Sequence, residues 1–172
     1  MLTSPLECLT DGVVSLREIA LDDLEVLYRL RMDPECRPMF RTIELVPYER
    51  HQAMIEEYFH SRSRDCWLII EVGRKVVGAI ALYNFDDEDR TCECGRVVIA
   101  PESRQLGYGS RALQLTTEFA KTCGLQKVRC EILSTNTASV KLFQGSGFVI
   151  TGARKYIGRI FLELTADLGG QA

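Results

Sequence analysis

The stretch richest in chemistry is Val97-Val98-Ile99-Ala100-Pro101-Glu102-Ser103-Arg104-Gln105-Leu106-Gly107-Tyr108-Gly109-Ser110. It reads as a strand, a short loop and two glycines at the mouth of a helix. Glycines at such a junction let main-chain N–H groups turn toward a ligand unobstructed, and a helix N-terminus adds partial positive charge, so the segment suits a pyrophosphate. Arg104 and Arg111 would add to that field. The same glycines would serve a tightly packed strand-to-helix turn, and residue types alone leave both readings open. A Walker-type loop is excluded, because Gly107-Tyr108-Gly109-Ser110-Arg111 does not supply the Lys and the Ser or Thr in place. The dinucleotide pattern G-x-G-x-x-A does occur at Gly107, Gly109 and Ala112, with Glu131 roughly 20 residues further on. Its context is wrong: Pro101 to Leu106 separate strand from glycine, and Glu131 precedes Ile132 and Leu133, inside its own strand.

Other clusters carry less. The seven cysteines, Cys8, Cys36, Cys66, Cys92, Cys94, Cys123 and Cys130, are scattered without C-x-x-C spacing, so structural zinc and other metal binding are not expected and reduced, packed thiols are. Asp86-Asp87-Glu88-Asp89 reads as a solvated turn rather than a metal site.

The elements that must position the glycine loop follow from periodicity. Residues 12–18 alternate as a strand, and Leu21, Leu24, Leu27 and Tyr28 recur at helical spacing until Pro34. The irregular stretch 34–47 holds Arg37, Met39, Phe40 and Arg41, a mixture that suits a pocket-shaping loop. A second helix is predicted over 48–62, with Ile55, Tyr58 and Phe59 on its apolar face. Residues 66–72 and 76–83 form a hairpin around Gly73, and 93–99 a further strand. Ala112, Leu115, Phe119 and Cys123 mark a helix stopped by Gly124. A strand over 127–133, a short helix over 138–144 and strands over 148–156 and 159–165 complete the order.

The chain has 172 residues, 46% hydrophobic and 26% charged, the usage of a globular domain. With no repeat or linker, residues 1–172 are expected to form one domain. A net charge of -3 and a pI near 5.5 remove the basic field that a nucleic acid or an acidic membrane would need, so neither is an expected partner. The first residues lack a basic and then apolar leader, and no window approaches ~18 apolar residues. A cytoplasmic monomer or homodimer is expected.

Taken together, three segments resemble the GNAT superfamily of acyl-CoA-dependent N-acetyltransferases. Arg104-Gln105-Leu106-Gly107-Tyr108-Gly109 fits its coenzyme loop, (R/Q)-x-x-G-x-(G/A). Glu93-Cys94-Gly95-Arg96-Val97-Val98-Ile99-Ala100-Pro101 is similar to its fourth strand, and Asn136 to Phe148 to its N-x-x-(A/S)-x-x-(L/F)-(Y/F)-x-x-x-G-F segment. The resemblance implies an α/β (α+β) fold: a mixed, mostly antiparallel central sheet, splayed between strands 4 and 5, with helices on both faces. It implies acetyl-CoA as co-substrate, its pantetheine bonded by backbone near Val97, Val98 and Ile99. The loop Arg104, Gln105, Leu106, Gly107, Tyr108, Gly109 and Ser110 would hold the pyrophosphate. Asn136 would face the pantetheine, or cap the helix that follows it.

The implied reaction moves acetyl to a primary amine, which must shed a proton to attack. Glu93 is the carboxylate placed to accept it, directly or through a water, or else an ordinary sheet-edge glutamate. Phe143 stands where many members carry a tyrosine assigned to protonate the leaving thiolate, so Ser139, Tyr108 or water would substitute. The acceptor would lie between the first two helices and their loop, among Arg31, Arg37, Met39, Phe40, Arg41 and His51, with Tyr83 and Asn84. Those arginines suit a carboxylate or phosphate, as on a nucleotide-linked amino sugar, while a protein N-terminus or another small amine also fits; solvated surface arginines are the alternative. His51 is expected on the helix surface. A non-catalytic acyl-CoA-binding module and a dinucleotide-dependent oxidoreductase are the competing functions.

Overall fold

The computed structural model describes residues 8–61 and 64–169. The leader reading of residues 1–7 and the predicted helix end at Arg62 lie outside the described residues. Eight strands form one sheet: β1 (Leu9–Thr10), β2 (Ser15–Glu18), β3 (Cys66–Val72), β4 (Lys75–Asp86), β5 (Thr91–Ile99), β6 (Lys127–Leu133), β7 (Val149–Tyr156) and β8 (Arg159–Asp167). Their order across the sheet is β1-β2-β3-β4-β5-β6-β8-β7. Every neighbouring pair is antiparallel except β5 with β6. A dinucleotide-binding fold is built on a parallel sheet, so this topology removes the oxidoreductase alternative.

The helices are α1 (Leu24–Met32), α2 (Tyr48–His60), α3 (Tyr108–Thr122) and α4 (Thr137–Gly145). Their apolar spacing decides which face each covers. Leu113, Thr116 and Ala120 fall on one side of α3 and are fully buried, packed with Leu68, Ile70, Leu82 and Val128. Leu27 and Ile55 of α1 and α2 instead meet Ile69 from the opposite face of β3. With both faces covered, the central strands read as nearly continuous apolar runs rather than as alternation.

The hinge from β2 into α1 is fixed by charge. Asp23 takes two hydrogen bonds from the Arg17 guanidinium, at 2.7 and 2.8 Å, and one from the Ala20 N–H at 2.7 Å. Burial, the largest single influence, pushes the Asp23 carboxyl upward, but the hydrogen bonds and charge of Arg17 together with the Ala20 N–H outweigh it and the net direction is down. Asp23 therefore acts through Arg17, beyond the helix-dipole preference of an acid in a first turn.

Two irregularities shape the middle of the sheet. Between Ala79↔Val98 and Ala81↔Gly95, one residue of β4 faces Arg96 and Val97 of β5, a bulge in which Arg96 adopts φ +53. A second interrupts the β4 register between Tyr83 and Asp86, where Asn84 adopts φ +52. The β5–β6 pairing then ends early: Thr91↔Lys127, Cys92↔Val128 and Glu93↔Arg129 are its only rungs. Beyond Glu93 the strands part, while β6 continues on its other side against β8 as far as Leu133↔Phe161. This is the expected splay, lying between β5 and β6 here because β5 holds the segment similar to the family's fourth strand.

Candidate active site

The splay leaves β5 from Cys94 to Ile99 without a strand on its β6 side. Every second residue there turns its backbone groups to the gap, the others, such as Val98, turning theirs to β4, and side chains alternate about it. Val97 and Ile99 pack toward the α3 core, while Val98 joins Leu30 and Ala100 under α1. Gly78 lets the two central strands close up, since a Cβ there would lie 2.3 Å from the Val98 carbonyl oxygen.

Past β5 the chain makes a 3-10 turn over Pro101–Ser103 and reaches Gly107, the residue before α3. Gln105 at φ +61 and Gly107 at φ +80 are both left-handed, and Leu106 between them is exposed. The first helical hydrogen bond runs from the Arg111 N–H to the Gly107 carbonyl, so the N–H groups of Tyr108, Gly109 and Ser110 have no acceptor among the described residues. No acidic side chain occupies that first turn. The result is a cluster of amide donors at the positive end of a 15-residue helix, able to hold a pyrophosphate.

The two arginines of this loop are already engaged. Arg104 donates to the Ile99 carbonyl at 3.0 Å, to Asp33 at 2.6 Å and to Glu35. Arg111 pairs with Asp11 at 2.7 Å. Arg104 thereby ties the glycine loop to the end of α1, which leaves the backbone amides as the loop's free donors. Asn136 caps α4, its Oδ1 accepting from the Ser139 N–H at 3.2 Å. Phe143 is 2% exposed and sits edge-on to Phe148, with ring centroids 4.9 Å apart. Ser139 is half-buried and Tyr108 packs against the core.

On the opposite face, the segment between α1 and α2 crosses the sheet as a strap. Arg159 donates to the Phe40 carbonyl at 2.8 Å and to that of Pro38, and Arg41 pairs with Glu131. Arg31 donates to the Thr42 carbonyl at 2.7 Å and lies over the Phe40 ring at 4.1 Å. Phe40 in turn packs on the Leu30, Val98 and Ala100 cluster, beside the bulge of β5. Arg37 stands within Coulombic reach of Arg31. His51 corrects the surface expectation: it is 2% exposed, next to Tyr28 at 5.4 Å between ring centroids, and burial followed by the nearby Arg31 charge holds its pKa down.

Glu93 lies where β4, β5 and β6 are still joined, paired with Tyr83 on one side and Arg129 on the other. The Tyr83 ring leans along β5, so that a Cβ at Gly95 would come within 2.4 Å of its hydroxyl oxygen. Burial, followed by the adjacent Glu93, pushes the Tyr83 phenol up to about 12, and it stays protonated at neutral pH. Asn84 is exposed at the second bulge. Arg96 and Trp67 complete this face, the guanidinium 4.2 Å from the Trp67 ring centroid and 4.5 Å from that of Tyr83. Neither was a sequence candidate; a glycine inside a strand, here Gly95, is the signal that could have found them.

Comparison with known proteins agrees with this geometry. The profile of the Acetyltransferase (GNAT) domain matches residues 14–149. The probable N-acetyltransferase camello of Xenopus tropicalis is 28% identical over 94 residues, 55% of this chain and 43% of that protein. The Xenopus laevis protein of the same name is 27% identical over the same shares. The match thus spans less than half the length of these curated relatives. Among solved structures, spermidine N-acetyltransferase from Vibrio cholerae, in complex with CoA and spermine, superposes with a TM-score of 0.83 at 16% identity, covering 92% of this chain and 97% of that one. Fold, motif order and profile converge, and the chain belongs to the GNAT acetyltransferase domain family.

Proposed function

We propose that the chain transfers an acetyl group from acetyl-CoA to a primary amine. The observation that carries the reading is the continuity of the open β5 edge, from Cys94 to Ile99, with the free amides of Tyr108, Gly109 and Ser110. Pantetheine is an extended chain with amide groups of its own, and it would add to β5 as a strand does. The pyrophosphate would then lie on the amides at the start of α3. Val97, Val98 and Ile99 supply the pantetheine contacts, Gln105 to Ser110 the pyrophosphate cradle, and Asn136 and Phe143 flank the gap from the α4 side.

The acceptor approaches from the face of Tyr83, Phe40, Arg37 and Asn84. Its nitrogen attacks the thioester carbonyl carbon, forming the C–N bond as the C–S bond breaks. Before attack the ammonium form gives a proton to Glu93, directly or through one water, and the second proton, lost as the amide forms, ends on the departing sulfur. Backbone donors of β5 stabilise the developing oxyanion, the larger contribution to rate. A thiol of pKa ~8.5 leaves readily enough for Tyr108, Ser139 or water to protonate it, so a tyrosine at position 143 is dispensable.

The test is release of free CoA thiol from acetyl-CoA in the presence of a panel of amines, with coenzyme binding followed separately by calorimetry. Release that depends on an amine supports the reading. Tight acetyl-CoA binding without turnover on any amine would mark a binding module instead. Gly107→Glu, which places bulk and negative charge at the cradle, should abolish binding; a folded variant with unchanged affinity would contradict the site.

A further inference from the structure

We infer that Arg96 recognises an anionic group, a carboxylate or phosphate, on the amine acceptor. The inference rests on the acyl-transfer reading above and names the substrate class. Arg96 is the bulged residue of β5, held at φ +53, a conformation costly for a residue with a Cβ and kept only where the surroundings impose it. Its guanidinium lies over both Trp67 and Tyr83, whose faces orient it and strip part of its water. The space for this arrangement comes from small residues, since Trp67 pairs with Ala81 and Ala81 with Gly95.

The N–H donors of Arg96 make no hydrogen bond or ion pair among the described residues. Arg41 and Arg159, on the same side of the sheet, are committed to Glu131 and to carbonyls, while Arg31 gives Nη2 to the Thr42 carbonyl and holds Nη1 buried without a partner among the described residues. The Nε1 of Trp67 is also buried without a partner. Donors without acceptors collect beside the vertex of the splay, and a planar guanidinium held by its faces leaves its edge free for bidentate contact with an oxyanion. Arg37 is less suited, because it stands on the strap with no ring or hydrogen-bond partner among the described residues to fix its side chain.

Arg96 follows Glu93 by three positions in β5, and a strand advances about 3.3 Å per residue, which bounds their separation at about 10 Å. An acceptor read by both residues carries its amine toward Glu93 and its acid group toward Arg96, a short span along the same strand. A polyamine would bring a second positive charge to Arg96 and be disfavoured.

The experiment measures CoA release by the full chain with amines matched in size, bearing a carboxylate, a phosphate, no charge or a second amine. Wild type, Arg96→Gln and Arg96→Lys are compared. The expected result is a kcat/KM for an anionic amine about tenfold or more above the neutral one, as a charge-assisted hydrogen bond supplies. Arg96→Gln should remove that preference through KM while changing the neutral amine by less than about twofold, and Arg96→Lys should restore part of it. The carboxylate and phosphate arms identify the anion. Wild-type preference for the neutral amine or diamine, a preference that survives in Arg96→Gln, or an equal loss on every amine would each overturn the inference. Absence of turnover on all amines would overturn the acyl-transfer reading and this inference with it.

Discussion

Glu93 and Arg129 form the last rung between β5 and β6. Everything past that rung on the β6 side of β5 is open, and both the carboxylate proposed as base and the edge proposed for pantetheine are set by where the pairing stops. A sheet that stayed paired through Ile99 would bury the edge and leave Glu93 as one side chain in a row.

Glu93→Gln keeps the shape and removes the basicity. Coenzyme affinity should be unchanged while turnover falls, most at lower pH where the amine is most protonated. Initial rates across pH with a true acceptor check this. An unchanged rate and pH profile would make Glu93 structural and leave the proton to water.

Gly95→Ala puts a methyl group where the Tyr83 hydroxyl lies, 2.4 Å from the new carbon. The ring must move, at a stability cost of about 1–3 kcal/mol. Because Tyr83 also holds Arg96, the acceptor KM should rise while acetyl-CoA affinity stays constant. Denaturant unfolding and steady-state kinetics together separate the two effects.

His51 is buried neutral, with its pKa below the ordinary 6.5. The unfolded chain therefore binds a proton that the folded chain resists, and stability falls as pH drops below about 6.5. His51→Leu should flatten that decline between pH 7 and 5, as read by urea midpoints at each pH. A decline of unchanged steepness would assign it to other groups.

Phe143→Tyr sets a hydroxyl into the core against Phe148, and leaving it unpaired costs about 1–3 kcal/mol. Turnover should not improve. A gain of about tenfold, equivalent to ~1.4 kcal/mol of barrier, would show that thiolate protonation limits the native reaction.

Local pattern made much of the fold legible. The strand Lys127–Leu133 coincides with its predicted limits, and the glycine loop lies at a helix N-terminus as its sequence suggested. What was hidden depends on partners distant in the chain. Arg104 looked like a free cation beside a phosphate loop, yet it is spent on Asp33 and Glu35, about 70 positions earlier, which no local pattern reports. His51 reads as one polar residue among others on α2, and only the packing of α2 on α1 buries it. The two-residue strand Leu9–Thr10 is too short for alternation to register and exists because β2 offers it an edge. Arg96 sat in view within a strand motif, but its place over Trp67 and Tyr83 follows from a bulge that depends on the β4 register.

Backbone hydrogen exchange with and without saturating acetyl-CoA reads whether the open edge of β5 and the start of α3 form one coenzyme site. Acetyl-CoA should slow exchange at Val97 and Ile99 together with Tyr108, Gly109 and Ser110, and change little along β7, at the far end of the sheet. Unchanged exchange at both segments, or protection confined to another part of the chain, would contradict that site.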